Sequence, residues 1–320
     1  MNRLTRHCAR RCLSVRRACA RACASSRGGG WAQGKEIHVY WLGLDEAFVE
    51  NTDGIAGLLG ERYLSAQDWK HLESARDERT RRERLVSRAA LRSVLERYVP
   101  GGLTEALARD PHGKPCLATS GSSLQFNLTH TSSLVGVCVG SNRPVGIDSE
   151  NGERQLKGSV SRIAERRFSV REATRLESAA NEEEKLKRFY RLWTLKEAFL
   201  KATGLGISSS ISLRRCVFDF EDESLGSAGQ VSTDISFEIL EEEPNAAGDA
   251  ADDIRDEVAR GAKASSLSDG EWDFATFEPR PKDIVSLCWR RSEDDGADEV
   301  LVKPFRGTVS PGGEIVFSDE

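Results

Sequence analysis

One order of segment types occurs twice along this 320-residue chain: a strand, then helices, then short strands, the second round starting near residues 140–150. Such a chain folds around small sheets with helices laid on them. The fold class expected is therefore α+β, with two similar halves, each a small, mainly antiparallel sheet with helices packed on it. The first round opens at Ile37-His-Val-Tyr-Trp41, rich in β-branched and aromatic residues. A helical stretch over 65–98 follows, dense in Arg, with Leu85, Ala89, Leu91 or Arg92, and Leu95 at three-to-four spacing, and Pro100-Gly-Gly102 stops it. Short strands are predicted at 115–117, 124–128, 134–139 and 145–150, between Gly, Ser and Asn turns. The second round has helices over 159–178 and 182–202, ended by Gly204 and Gly206, and strands at 216–220, 231–240, 272–277 and 284–289. The halves are drawn as 35–144 and 145–290, and residues 291–320 are set apart as a C-terminal tail.

Two stretches differ in composition. Residues 1–30 hold eight Arg and no acid, whereas the whole chain carries 46 Lys and Arg against 51 Asp and Glu, so the body after this leader is distinctly acidic. An Arg-rich, acid-free start without an unbroken apolar stretch is expected to be a disordered organellar targeting leader, mitochondrial first, with plastid import or an uncleaved cytoplasmic tail as alternatives. An acidic body is a poor polyphosphate binder, and no apolar run approaches the roughly 20 residues of a spanning helix. Neither nucleic acid nor membrane is expected as a partner. Residues 241–270, rich in Glu, Asp, Ala and Ser, read as a disordered acidic insertion. Four cysteines lie in the leader as two C-x3-C pairs without a convincing His partner for a metal, while Cys116, Cys138, Cys216 and Cys288 are scattered among apolar neighbours and read as buried free thiols.

Chemistry concentrates in a few places. On a strand, Asp148 and Glu150 project from one face, with Val145, Ile147 and Ser149 on the other. Paired carboxylates repel unless water or a cation separates them, so a hard oxygen-binding ion such as Mg²⁺ and a plain solvated pair are both open readings. In the helix ending at Ala202, the stripe Leu186, Phe189/Tyr190, Trp193 runs on into Lys196/Glu197 and Leu200/Lys201. Glu197 then stands on an apolar face, where a carboxylate is costly unless paired; a structural i,i+4 pair with Lys201 is the other reading. Gly113-Lys-Pro115 offers Lys114 on a rigid turn, Phe126-Asn-Leu-Thr-His130 ends a strand with a hydroxyl and an imidazole, and Arg79, Arg81, Arg82, Arg84, Arg88 and Arg92 line one helix. Phe168-Ser-Val-Arg-Glu172 reads as a capping box, Ser169 at N-cap and Glu172 at N3, which needs no function.

Taken in order, G-K-P, F-N-x-[ST]-H, V-G-I-D-x-E, F-S-x-x-E and W-[ST]-x-K-E-A-[FY]-x-K-x-x-G, the last standing here at Trp193–Gly204, resemble the motifs of the 4′-phosphopantetheinyl transferases. The length and the two-half organisation look like the large, monomeric, pseudo-dimeric type. The resemblance implies transfer of the phosphopantetheine arm from coenzyme A to a serine of an apo acyl carrier protein. It implies Asp148, Glu150 and Glu197 around Mg²⁺, with Glu197 as the base for the incoming hydroxyl. It implies Lys201 against phosphate charge, and Lys114, Thr129 and His130 on the adenosine-side phosphates, with Arg84 and Arg88 as further coenzyme A contacts. Family members usually carry Ser where Thr129 stands.

Overall fold

The computed structural model describes residues 35–44, 52–99, 107–109, 113–117, 123–154, 156, 158–204, 212–220, 225–227, 230–240, 271–292 and 300–320; the leader 1–30 and the insertion 241–270 lie outside them. The first round comprises β1 (Glu36–Gly43), α1 (Thr52–Tyr63), α2 (Ala66–Glu73), α3 (Glu78–Glu96), the short β2 (Ala108–Arg109) and β3 (Pro115–Cys116), β4 (Leu124–His130) and β5 (Leu134–Ser141). The second comprises β6 (Val145–Asn151), α4 (Val160–Arg167), α5 (Val170–Glu177), α6 (Glu182–Thr203), β7 (Cys216–Asp219), β8 (Gly226–Ser227), β9 (Ser236–Ile239), β10 (Trp272–Arg280) and β11 (Asp283–Arg290).

The two rounds share one plan. In the first, the hairpin β4–β5 returns β5 antiparallel to β1; in the second, the hairpin β10–β11 returns β11 antiparallel to β6. Each trio, β1-β5-β4 and β6-β11-β10, joins the strand that opens its round to a hairpin that follows three helices, so the α+β fold with two similar halves is what the chain adopts. Alternation along the strands builds the layers. Ile37, Val39 and Trp41 of β1 and Val145 and Ile147 of β6 enter one buried cluster with Ala275, Phe277, Val285, Leu287 and Trp289, which joins the two sheets. The opposite face of the second sheet, through Trp272, Phe274, Ile284 and Cys288, packs with Phe189, Leu192, Leu195 and Phe199 of α6.

Residues beyond 290 correct the reading of a tail. β12 (Leu301–Val309) pairs in parallel with β1, and β13 (Ile315–Asp319) pairs antiparallel with β12, giving a five-stranded sheet in the order β13-β12-β1-β5-β4. Phe305 stacks on Tyr40 with centroids 4.7 Å apart, and Phe317 meets the same ring edge-on at 4.9 Å. Ending the chain at residue 298 would bare this aromatic face and one edge of β1. Such a protein is expected to collect in the insoluble fraction, or to melt far below the full chain in a thermal scan.

The helical stretches also divide. The predicted 65–98 helix breaks between Glu73 and Glu78, where Asp77 starts α3 by accepting a hydrogen bond from Thr80 N (2.6 Å). The 159–178 stretch breaks at Phe168, where Ser169 caps α5. Among the described cysteines all four are unpaired; Cys138, Cys216 and Cys288 are buried as expected, with burial pushing Cys138 up to about 12 and Cys216 up to about 11, whereas Cys116, on the two-residue β3, is only half-buried.

Candidate active site

The site forms where α6 lies on β6. A Cβ on Gly146 would stand 2.0 Å from Ala198 O and 2.5 Å from Ala202 N, so the helix backbone rests directly on the strand there. Two and four residues further on, the same strand face carries Asp148 and Glu150, which therefore project beside the helical turns that carry Glu197 and Lys201.

Lys201 Nζ donates to Asp148 Oδ1 (2.6 Å) and to Ile147 O (3.0 Å), so of the two open readings the i,i+4 pair with Glu197 gives way to a bond across to β6. Lys114 reaches the same place from its turn, donating to Val145 O (3.0 Å) and Lys201 O (3.1 Å). Thr129 is buried and shares a hydrogen bond with Ser149 (3.0 Å), with Asp148 Oδ1 at 3.5 Å. Glu150 accepts two bonds from Arg154 Nη1, both 2.7 Å. Glu197 is only 7% exposed, and its Oε1 has no hydrogen-bond partner.

All three carboxyls are pushed above the usual range, first by burial. Asp148 is pulled back by Lys201 and Glu150 by Arg154, while Glu197, beside both other carboxyls, is raised to about 7. A carboxyl raised in the fold and ordinary when unfolded favours the folded state less as it ionises. Its contribution is whole below about pH 4.5 and lost as the pH rises through 7. Without divalent cations, Glu197→Gln is therefore expected to melt higher than wild type above pH 7, by on the order of 2 kcal/mol, with the difference vanishing near pH 4; thermal melts across that range would check it.

Among the described residues no three His, Cys, Asp or Glu side chains are gathered as a ready metal centre. Asp148 is engaged with Lys201 and Glu150 with Arg154. The donor set nonetheless fits a hard divalent cation in kind: three carboxyls raised by burial, one with an orphaned oxygen.

A cationic cluster stands beside this group. His130, at the exposed end of β4, is held below its usual value by desolvation and by Lys201, Arg88 and Arg84, against an opposing pull from Glu83. Arg84 donates to His71 O (2.8 Å) and Ser74 Oγ (3.0 Å), and Arg88 stands 3.9 Å from Asp68. His71 and Arg109 belong to the same cluster and are not singled out by the sequence. His71 is desolvated and further lowered by Arg88, Arg84 and Arg109, while Arg109 donates to Gly113 O (2.6 Å) and so braces the turn that presents Lys114. The one signal for Arg109 is its place just ahead of Gly113-Lys114; His71 has none. Arg92, by contrast, is buried on Asp68 (2.7 Å), away from solvent.

The 4′-phosphopantetheinyl transferase superfamily profile matches residues 144–251, which hold β6, α6 and the carboxyls. The transferase HetI of a Nostoc species is 34% identical over 178 residues, 54% of this chain and 70% of that protein. Sfp of Bacillus subtilis is 32% identical over 125 residues, 39% of this chain and 53% of Sfp. The human L-aminoadipate-semialdehyde dehydrogenase-phosphopantetheinyl transferase is 33% identical over 132 residues, 39% of this chain and 42% of that protein. With the strand, the helix and the motif residues converging at one place and HetI matched over most of its length, the chain belongs to the 4′-phosphopantetheinyl transferase superfamily.

Proposed function

We propose that this protein transfers the 4′-phosphopantetheine arm of coenzyme A to a serine of an apo acyl carrier protein, leaving holo carrier protein and adenosine 3′,5′-bisphosphate. Glu197 carries the reading: a buried carboxyl with an unpartnered oxygen, on the helical turn beside Asp148 and Glu150, is placed to take a proton in the site. It accepts the serine proton, directly or through water, as the serine oxygen attacks the phosphorus that bears the pantetheine arm. The bond from that phosphorus to the bridging oxygen breaks, and its electron pair leaves with the nucleotide. Lys201 turns its ammonium toward phosphate charge, and Lys114 stands behind it.

Arg84, Arg88 and Arg109, with the imidazoles of His130 and His71, which burial and the neighbouring cations hold below their usual value, take the adenosine-side phosphates from four separate elements. Thr129, buried against Ser149, serves this pocket by steadying β6 beside Asp148. Asp148, Glu150 and Glu197 would hold Mg²⁺, which when bound neutralises and orients the pyrophosphate. The Arg-rich leader supports mitochondrial import of a monomer serving a fatty-acid carrier, and a reporter fused to residues 1–40 that stays cytosolic would refute that part.

The test is direct. The protein is incubated with coenzyme A, Mg²⁺ and an apo carrier protein, and the carrier is weighed by mass spectrometry. The expected result is a gain of one phosphopantetheine per carrier. A protein that binds coenzyme A and leaves the carrier unmodified would be a binding protein instead.

A further inference from the structure

The capping box of α5 reaches further than its helix. Glu172 accepts hydrogen bonds from Ser169 N (2.9 Å) and Ser169 Oγ (2.8 Å), and also from the backbone N–H of Phe218 on β7 (3.0 Å). It takes a fourth from Nζ of Lys196 on α6 (2.9 Å). Lys196 is fully enclosed, and its other two donors meet Leu213 O (2.9 Å) and Cys216 O. An ammonium has three donors, and each has an acceptor here. The Phe168 and Phe218 rings stand 5.2 and 5.6 Å from Nζ.

Stability is a weak reason for such a pair, because apolar side chains of similar volume often serve a core as well or better. Position supplies a stronger one. Lys196 directly precedes Glu197, and neighbours on a helix point about 100° apart. Lys196 is thereby held toward α5 and β7 while Glu197 stands among the β6 carboxyls. Glu197 Oε1 has no partner of its own, so its place depends on where the backbone of α6 is held. Thr194 holds that helix to Ser286 on β11 (2.7 Å) and Lys201 holds it to Asp148 on β6. On the remaining side, Lys185 and Arg188 tie the start of α6 to Glu177 and Arg175 O of α5 (2.7 and 3.0 Å), and Lys196 supplies the bond in the turn next to Glu197.

We infer that the Glu172–Lys196 pair fixes the rotation of α6 about its axis and thereby the place of Glu197, which makes both of them positioning residues for transfer. The inference rests on reading Glu197 as the proton acceptor. Its structural content is that F-S-x-x-E and the lysine before Glu197 form one device, joined across 24 residues of chain.

Two double variants test it. Glu172→Gln/Lys196→Gln keeps a hydrogen-bonding pair between α5 and α6, whereas Glu172→Leu/Lys196→Met fills the space without one. Coenzyme A affinity by calorimetry is expected to stay within about twofold in both, since the adenosine-side groups lie on α2, α3, β2 and β4, and Lys201, the phosphate-facing group on α6, is held by its own bonds to Asp148 and Ile147 O on β6. At saturating coenzyme A and carrier, kcat per folded protein is expected to fall about tenfold to a hundredfold in the Leu/Met protein, the scale of a small misplacement, and to recover for the most part in the Gln/Gln protein. If the Leu/Met protein does not fold, Glu172→Asp replaces it, with the arm shortened and the charge kept; its kcat is expected to fall while coenzyme A affinity holds.

A wild-type kcat in the Leu/Met protein, or in Glu172→Asp where that stands in, beside an inactive Glu197→Gln, overturns the positioning role and leaves the proton acceptor standing. Normal transfer by Glu197→Gln overturns both. Coenzyme A affinity falling in step with kcat marks general loosening of the fold and also overturns the positioning role.

Discussion

Glu197→Gln is expected to lower single-turnover transfer by about a hundredfold or more, the usual scale for losing a general base, while coenzyme A still binds. The substitution exchanges one oxygen for a nitrogen in a side chain that is 7% exposed, so its volume and packing persist. What disappears is the carboxylate able to accept the proton. The variant also loses the burial of a charge beside Asp148 and Glu150, so it should melt no lower than wild type. Activity and stability then move in opposite directions, which a surface ion pair worth at most about 1 kcal/mol could not produce. Transfer at the wild-type rate in rapid-quench measurements would remove Glu197 from the chemistry.

Gly146→Ala should do even more damage, and for a purely steric reason. The added methyl would lie 2.0 Å from Ala198 O and 2.5 Å from Ala202 N, both backbone atoms of α6 that no rotamer change can clear. Either the helix lifts from β6 or the strand buckles, at a cost of about 3 kcal/mol or more, beyond ordinary overpacking. Lifting α6 also separates Glu197 and Lys201 from Asp148. The expected outcome is little soluble protein and no measurable transfer; a variant with wild-type melting temperature and activity would show that helix and strand are not in such close contact.

The second half was the more legible in sequence because its signals are local. Val145–Glu150 alternates cleanly, and the structure puts Val145 and Ile147 into the cluster between the sheets while Asp148 and Glu150 turn to α6. The 182–202 helix carries an N-cap at Asn181 and stops at Gly204, whose φ of 72° suits glycine. Other elements were illegible for physical reasons. α1, Thr52–Tyr63, carries three glycines, Gly54, Gly57 and Gly60, that weaken the helical pattern, and Gly60 is a packing requirement, since a Cβ there would lie 2.5 Å from the Trp69 ring. β12 contains Pro304 and Gly307, which argue against a strand. Pro304 is tolerated because pairing with β13 begins at Phe305. His71 is brought to the cation cluster by tertiary packing alone, so no spacing could announce it.

The parallel pairing of β1 with β12, from Glu36 against Leu301 to Leu42 against Gly307, sets a timetable for biosynthesis. A ribosome releases β1 near the start and must add more than 250 further residues before its partner exists. Every strand of the trio β6-β11-β10 has emerged by residue 290. Long-range pairings close slowly because chain entropy must be overcome before any contact forms. In the usual vectorial order the N-terminal part matures first. In this chain the half translated first is the half completed last, and until then one edge of β1 must be shielded from other chains.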